Sequence, residues 1–320
     1  MKVVLSNPRG FCAGVERAIT IVKQLILLKK QTIYVYNKIV HNENVIENLE
    51  KKGVKFVNSI DYIPNNSLCV FSAHGVSKEV EKRAAKKNLQ VYDATCPLVK
   101  KVHLAVEDSE KKNLPCILIG HKSHPEILGT SGRMTNTSNT YIVENMKDIE
   151  NLKFSTLDKL KYSTQTTLSL EDTENIIKFL KIKYPNIQGP KRNDICYATQ
   201  NRQNAIKKIS KIADIVLIVG SKSSSNANRL YETSKKFNRN SYFIENASKI
   251  NMNWFRDKNI CGLSSGASTP EHLVEEIIFF LRSKIPRLTV EEISGVRENI
   301  SFKLPKSLGA PRDGFEPPTQ

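Results

Sequence analysis

The chain has no run of eighteen apolar residues; its apolar stretches, such as Ile215-Val216-Leu217-Ile218-Val219, are short. A membrane-crossing helix needs about 20 such residues, so no membrane partner is expected. The apolar run at Val3-Val4-Leu5 is too short for a secretory signal, and no small-residue cleavage site follows it. The expected compartment is the cytoplasm, where thiols stay reduced. No Cys-x-x-Cys pair occurs among the six cysteines, which speaks against a zinc ribbon or a ferredoxin-type knot. No Gly-x-Gly-x-x-Gly occurs either, so there is no fingerprint of a resident nicotinamide or flavin nucleotide. Acidic residues are few, 32 against 49 lysines and arginines, for a formal charge of +17. An RNA-binding module would pair a continuous basic face with aromatic platforms. Here the lysines are scattered and not interleaved with aromatics, so they read as solvated faces and no nucleic-acid partner is expected.

What is present is ordinary for a globular protein: 39% hydrophobic and 25% charged residues. A length of 320 residues exceeds one compact core and predicts two or three domains. Short apolar runs (Val3-Val4-Leu5, Ile33-Tyr34-Val35-Tyr36, Leu68-Cys69-Val70-Phe71, Cys116-Ile117-Leu118-Ile119, Ile215 to Val219) alternate with stretches of helical spacing such as Ala13 to Lys29. That pattern predicts buried parallel strands in an α/β fold.

Two features recur. A cysteine stands immediately before a helix-like stretch three times, at Cys12, Cys96 and Cys196, with Pro97 in the first-turn position that proline favours. An apolar strand ends in a small polar loop three times: Ser72-Ala73-His74-Gly75, Gly120-His121-Lys122-Ser123-His124, and Gly220-Ser221 through Asn226. Ligands of open parallel sheets bind at the carboxyl ends of strands. The chain is therefore expected to form three pseudo-symmetric αβ lobes, residues 1–97, 98–195 and 196–284. Each would have a mainly parallel sheet and bring one cysteine and a polar loop to a shared centre. Residues 285–320 form a C-terminal extension whose end, from Ala310, is expected to fray.

A lone cysteine is usually a small core residue, and that reading suits Cys69, Cys116 and Cys261, inside or beside apolar runs. Cys12, Cys96 and Cys196 lie at turn-to-helix junctions, where the helix dipole favours a thiolate. Three such thiols from three lobes suit a metal cluster as well as unrelated structural roles. His103, His121 and His272 read as satisfied or exposed side chains. His41, His74 and His124 sit beside small or turn-forming residues and read as ligand donors. A metal-free phosphatase or transferase using the same polar loops is the competing reading.

The stretches Asn7-Pro8-Arg9-Gly10-Phe11-Cys12-Ala13-Gly14, Val40-His41-Asn42, Ser72-Ala73-His74-Gly75, Asp93-Ala94-Thr95-Cys96-Pro97, His124-Pro125-Glu126, Thr164-Gln165-Thr166-Thr167, Asp194-Ile195-Cys196 and Gly266-Ala267-Ser268 together closely resemble the 4-hydroxy-3-methylbut-2-enyl diphosphate reductase family. The resemblance implies a three-lobed fold around one 4Fe–4S cluster per chain, held by Cys12, Cys96 and Cys196 with one iron left without a protein ligand. It implies a diphosphate pocket of His41, His74, His124, Ser224, Ser225, Asn226 and Ser268, with Thr166 and Glu126 near the substrate hydroxyl and Glu126 as acid. The implied reaction is reductive dehydroxylation of an allylic diphosphate to isopentenyl and dimethylallyl diphosphate. The two electrons would come from reduced flavodoxin or ferredoxin. The extreme C-terminus does not resemble the family.

Overall fold

The structure, a computed structural model, describes residues 1–29 and 31–308; the tail expected to fray from Ala310 lies outside the described residues. Strand β1 (Lys2–Leu5) and helix α1 (Ala13–Leu28) open the chain. Then come β2 (Ile33–Tyr36), α2 (Glu43–Glu50), β3 (Lys55–Val57), β4 (Leu68–Phe71), α3 (Lys78–Lys86) and β5 (Gln90–Asp93), whose strands form a sheet in the order β3-β2-β4-β5. The middle of the chain supplies α4 (Pro97–Lys111), β6 (Cys116–Ile119), α5 (Pro125–Ser131), β7 (Thr140–Val143), α6 (Met146–Glu150), β8 (Lys161–Thr164) and α7 (Leu170–Lys183), with the order β7-β6-β8. The last third supplies α8 (Tyr197–Ile212), β9 (Ile215–Val219), α9 (Ser225–Phe237), β10 (Ser241–Ile244), β11 (Ile260–Ser265), α10 (Glu271–Lys284) and β12 (Thr289–Glu292).

The three-sheet α/β expectation holds, and every pairing within the sheets is parallel. The apolar runs are buried because helices cover both sheet faces. Cys69, Cys116 and Cys261 are each fully buried within strands.

The sheets do not follow the contiguous boundaries drawn from the sequence. Strand β1 pairs with β11 and β12 in the third sheet, whose order is β10-β9-β11-β1-β12. The third lobe therefore takes residues from both ends of the chain and runs past residue 284. Helix α1, which follows β1, packs against the first sheet: Ala18, Val22 and Leu25 share a core with Ile33, Val35 and Val70. Beyond β12 the chain forms a strap, residues 293–308. It leaves the third sheet at Ile293, whose N–H bonds Leu5 O, and ends with Leu304 and Leu308 packed into the first lobe's core.

The carboxyl ends of β1, β2, β4, β5, β6, β8, β9 and β11 are followed by the loops that carry Cys12, His41, His74, Cys96, His124, Thr166, Ser224 and Ser268 respectively. The expected strand-end placement is thus realised in all three lobes.

Candidate active site

Each of the three junction cysteines is the residue just before a helix: Cys12 before α1, Cys96 before α4 with Pro97 in the first turn, Cys196 before α8. Each backbone N–H is tied to a strand-end loop: Cys12 to Ala267 O at 3.2 Å, Cys96 to Ala73 O at 3.0 Å, Cys196 to Thr166 O at 3.0 Å. The thiols converge. A Cβ added to Gly14 would stand 2.7 Å from Cys96 Sγ and 3.9 Å from Cys12 Sγ, so only glycine lets α1 pass beside the two sulfurs. Burial, with the neighbouring Cys12 and Cys196 adding to it, pushes the Cys96 thiol up to about 12. Cys196 is pushed to about 11 by burial and then by Cys12, while the Thr199 hydroxyl at 3.2 Å and its N–H at 3.4 Å from Sγ pull the other way. Three crowded thiols, of which Cys96 and Cys196 are held neutral by burial, suit a cationic partner. Among the described residues no group of three or more His, Cys, Asp or Glu side chains is gathered tightly enough to hold a single metal ion.

His41, His74 and His124 come from three loops and meet. Their ring centroids are 4.2 Å (His41–His74), 5.1 Å (His41–His124) and 5.8 Å (His74–His124) apart. Both ring nitrogens of His41 and Nε2 of His124 are buried without a hydrogen-bond partner. Such orphaned polar atoms cost about 1–3 kcal/mol each, and buried polar groups are nearly always satisfied; a polar ligand is the natural complement. Nδ1 of His124 accepts the Glu126 N–H at 3.2 Å, so the neutral ring carries its proton on Nε2 and offers a donor. Burial lowers all three, His41 to about 4, His124 to about 3 and His74 well below its usual value, and mutual repulsion adds at His74 and His124.

Opposite the rings, Ser224 caps α9, and Ser225 and Asn226 form its first turn, where free N–H groups and the helix dipole favour an anion. Ser268 Oγ donates to His41 O at 2.9 Å and lies 3.5 Å from Ser224 Oγ. Asn226 Oδ1 accepts the Ala267 N–H at 2.8 Å, and Ser225 Oγ lies 3.0 Å from Thr167 Oγ1. His41, His124 and Ser225 line a cavity of about 430 Å³.

Glu126 is 2% exposed. Its Oε1 accepts the Thr166 N–H at 2.7 Å and its Oε2 the Thr166 hydroxyl at 2.9 Å. Burial pushes this carboxyl up to about 7, against the lowering effect of the two Thr166 bonds; Asp194 adds a little repulsion. Its charge also reaches Cys196, so an acid with a pKa of about 7 stands beside that thiol.

All the residues expected at the site therefore fall into one neighbourhood. Of the histidines set aside, His272 pairs with Asn44 at an exposed position, whereas His103 departs from expectation: it is buried behind Gly75 with its Nε2 left without a hydrogen-bond partner. His121 is satisfied, as expected, with its Nε2 2.7 Å from an Arg229 nitrogen and its Nδ1 3.6 Å from Glu144, and it also lines the cavity. Residues not anticipated include Gly14, Thr199 and Gln165, whose amide joins the His121 N–H, Thr167 and Ser225. Gln165 carried a signal in its place in the run Thr164-Gln165-Thr166-Thr167, and Gly14 in the run that ends Cys12-Ala13-Gly14.

The family model described as LytB protein matches residues 3–282. A 4-hydroxy-3-methylbut-2-enyl diphosphate reductase of Francisella tularensis subsp. tularensis is 49% identical over 309 residues, 96% of this chain and 97% of the relative; the enzyme of that name from subsp. novicida is 49% identical over 311 residues, with the same coverage. The solved E-1-hydroxy-2-methyl-but-2-enyl-4-diphosphate reductase of Plasmodium falciparum superposes with a TM-score of 0.90 at 41% identity, covering 96% of both chains. A second structure, described as (E)-4-hydroxy-3-methyl-but-2-enyl diphosphate reductase, the terminal enzyme of the non-mevalonate pathway, gives 0.65 at 31% identity, covering 88% of this chain and 99% of that one. The chain belongs to the LytB family, that of the 4-hydroxy-3-methylbut-2-enyl diphosphate reductases.

Proposed function

We propose that this chain reduces 4-hydroxy-3-methylbut-2-enyl diphosphate to isopentenyl and dimethylallyl diphosphate with one 4Fe–4S cluster held by Cys12, Cys96 and Cys196. The observation that carries the reading is the convergence of three thiols from helix N-cap positions beside a buried carboxyl with a pKa of about 7. The donor set fits a cluster: three thiols crowd one another, each at a positive helix end. When bound, the cluster would pass on two electrons received from an external donor and would offer one iron without a protein ligand, a Lewis acid for the substrate hydroxyl.

The chain supplies the rest. His41, His74, His124, Ser224, Ser225, Asn226 and Ser268 anchor the diphosphate through neutral donors. Glu126, its carboxyl raised to about 7, supplies the proton, and the Thr166 hydroxyl, 2.9 Å away, holds it in place. The C–O bond breaks with its electron pair on oxygen, which leaves as water, and the two electrons from the external reductant come to rest on the allylic carbons. A second proton at either end of that unit yields the two products. Oxygen-free protein given substrate and a small chemical reductant should release both. Inorganic phosphate formed without reductant would favour a phosphatase instead.

The pocket assignment predicts that His41→Ala or His124→Ala weakens substrate binding by about 1.5–3 kcal/mol, the scale of a hydrogen bond to a charged group. Calorimetry should show much weaker binding of the corresponding free alcohol; equal affinity for alcohol and diphosphate would contradict the pocket.

Reduced flavodoxin or ferredoxin is the proposed donor, and cytoplasm the proposed compartment. A chain of formal charge +17 attracts an acidic carrier over roughly 8–10 Å. Turnover with a protein donor should fall between about 0.05 and 0.3 M salt, through slower association, while turnover with an uncharged reductant changes much less. The same salt response with both would remove steering.

A further inference from the structure

Two arginines outside the site bind the backbone next to the cysteines. Arg202, on α8 six residues past Cys196, is 1% exposed, yet it is charged. Its guanidinium donates to Gly10 O at 2.9 Å, Phe11 O at 3.3 Å and Ala198 O at 3.1 Å. The first two carbonyls immediately precede Cys12, and the third lies in the first turn after Cys196. Arg17, on α1 five residues past Cys12, donates to Thr95 O at 3.2 Å and Asp93 O at 3.3 Å, in the segment that leads into Cys96. One side chain thus ties Cys196 to Cys12, the other Cys12 to Cys96.

Both are backed by the strap of residues 293–308. Glu298 meets Arg202 at 3.0 Å and also accepts from Asn201 at 2.9 Å, which neutralises the buried cation. Lys303 O accepts from Arg17 Nε at 2.9 Å. A guanidinium suits this task because its rigid fork serves several carbonyls at once; a lysine has three donors on one atom and no fixed plane.

We infer that Arg202 and Arg17 are positioning residues that set the spacing of the three cysteines, and that the C-terminal strap, through Glu298 and Lys303, locks both in place. The inference rests on the cluster reading above. Neither side chain is needed to touch substrate or sulfur; each acts through the backbone that carries the thiols.

The test is anaerobic release of iron from the holoprotein to a chelator, with the thermal midpoint of each metal-free variant measured alongside. Arg202→Gln and Arg17→Gln should release iron roughly 10–100-fold faster than wild type, the usual scale for residues that orient metal ligands. The electron paramagnetic resonance spectrum of the retained reduced cluster should shift. Arg202→Lys should fall between, and Glu298→Gln should show a smaller acceleration. Lys112→Gln, which breaks an exposed pair with Asp108, should release iron at the wild-type rate. Wild-type rates in both glutamine variants would overturn the inference. So would a rate that matches wild type once each protein is held equally far below its own midpoint, since the arginines would then only stabilise the fold. A wild-type chain that binds no iron or sulfide overturns the cluster reading itself and is seen before any variant is made.

Discussion

Serine in place of Cys12, Cys96 or Cys196 should abolish turnover and strip or degrade the cluster, whereas serine at Cys69, Cys116 or Cys261 should leave iron content and activity in place. The two sets are chemically alike but placed differently. The second set is fully buried within strands, where burial pushes each thiol up to about 12 and keeps it neutral. The expected cost there is a local packing loss of about 1–2 kcal/mol, read as a lower thermal midpoint. The first set stands at the N-cap positions of three helices with its thiols close together, and a serine oxygen is a poor ligand for iron. Because Thr199 already bonds Cys196 Sγ through both its N–H and its hydroxyl, Cys196→Ser still has local partners and should fold. Its loss of iron would then report ligation rather than misfolding. Full iron content in Cys196→Ser would remove the three-ligand arrangement.

Glu126→Gln should bind substrate and turn over at least about 100-fold more slowly, the lower end for a positioned acid. The change keeps the shape and the acceptor for Thr166 N–H but removes the proton. The pH dependence carries the sign. A carboxyl raised to about 7 is protonated below that value and empty above it, so the acid-dependent limb of kcat should decline as pH rises through about 7. The anionic diphosphate nearby would move that limb upward, not downward. In Glu126→Gln the limb should vanish. Thr166→Val removes the hydroxyl bond that lowers this pKa but keeps the backbone N–H bond, so the loss should be milder and the limb should shift to higher pH. A wild-type rate in Glu126→Gln at saturating reductant would mean the proton comes from elsewhere.

Much of this was visible in the chain itself. Parallel strands covered on both faces must be continuous apolar runs, and Ile215 to Val219 or Cys116 to Ile119 declare themselves. Cysteines beside Pro, Gly and Thr at the start of helical spacing declare helix caps. The partners of Val3-Val4-Leu5 could not be read, since parallel pairing with Cys261 to Leu263 leaves no local mark. Strand β12 was missed because Thr289-Val290-Glu291-Glu292 is a largely exposed edge without an apolar run. Arg202 sits in a polar helical stretch, Gln200 to Lys208, and looks like a surface arginine; its burial is created by a loop from the opposite end of the chain. His121 was set aside since nothing local announces Arg229 across the cavity.

The most direct measurement is the iron and acid-labile sulfide content of the chain purified without oxygen. The account predicts a brown protein with about four of each per chain, lost together in Cys12→Ser, Cys96→Ser and Cys196→Ser and retained in Cys69→Ser. A colourless, iron-free protein that still converts the substrate would contradict it.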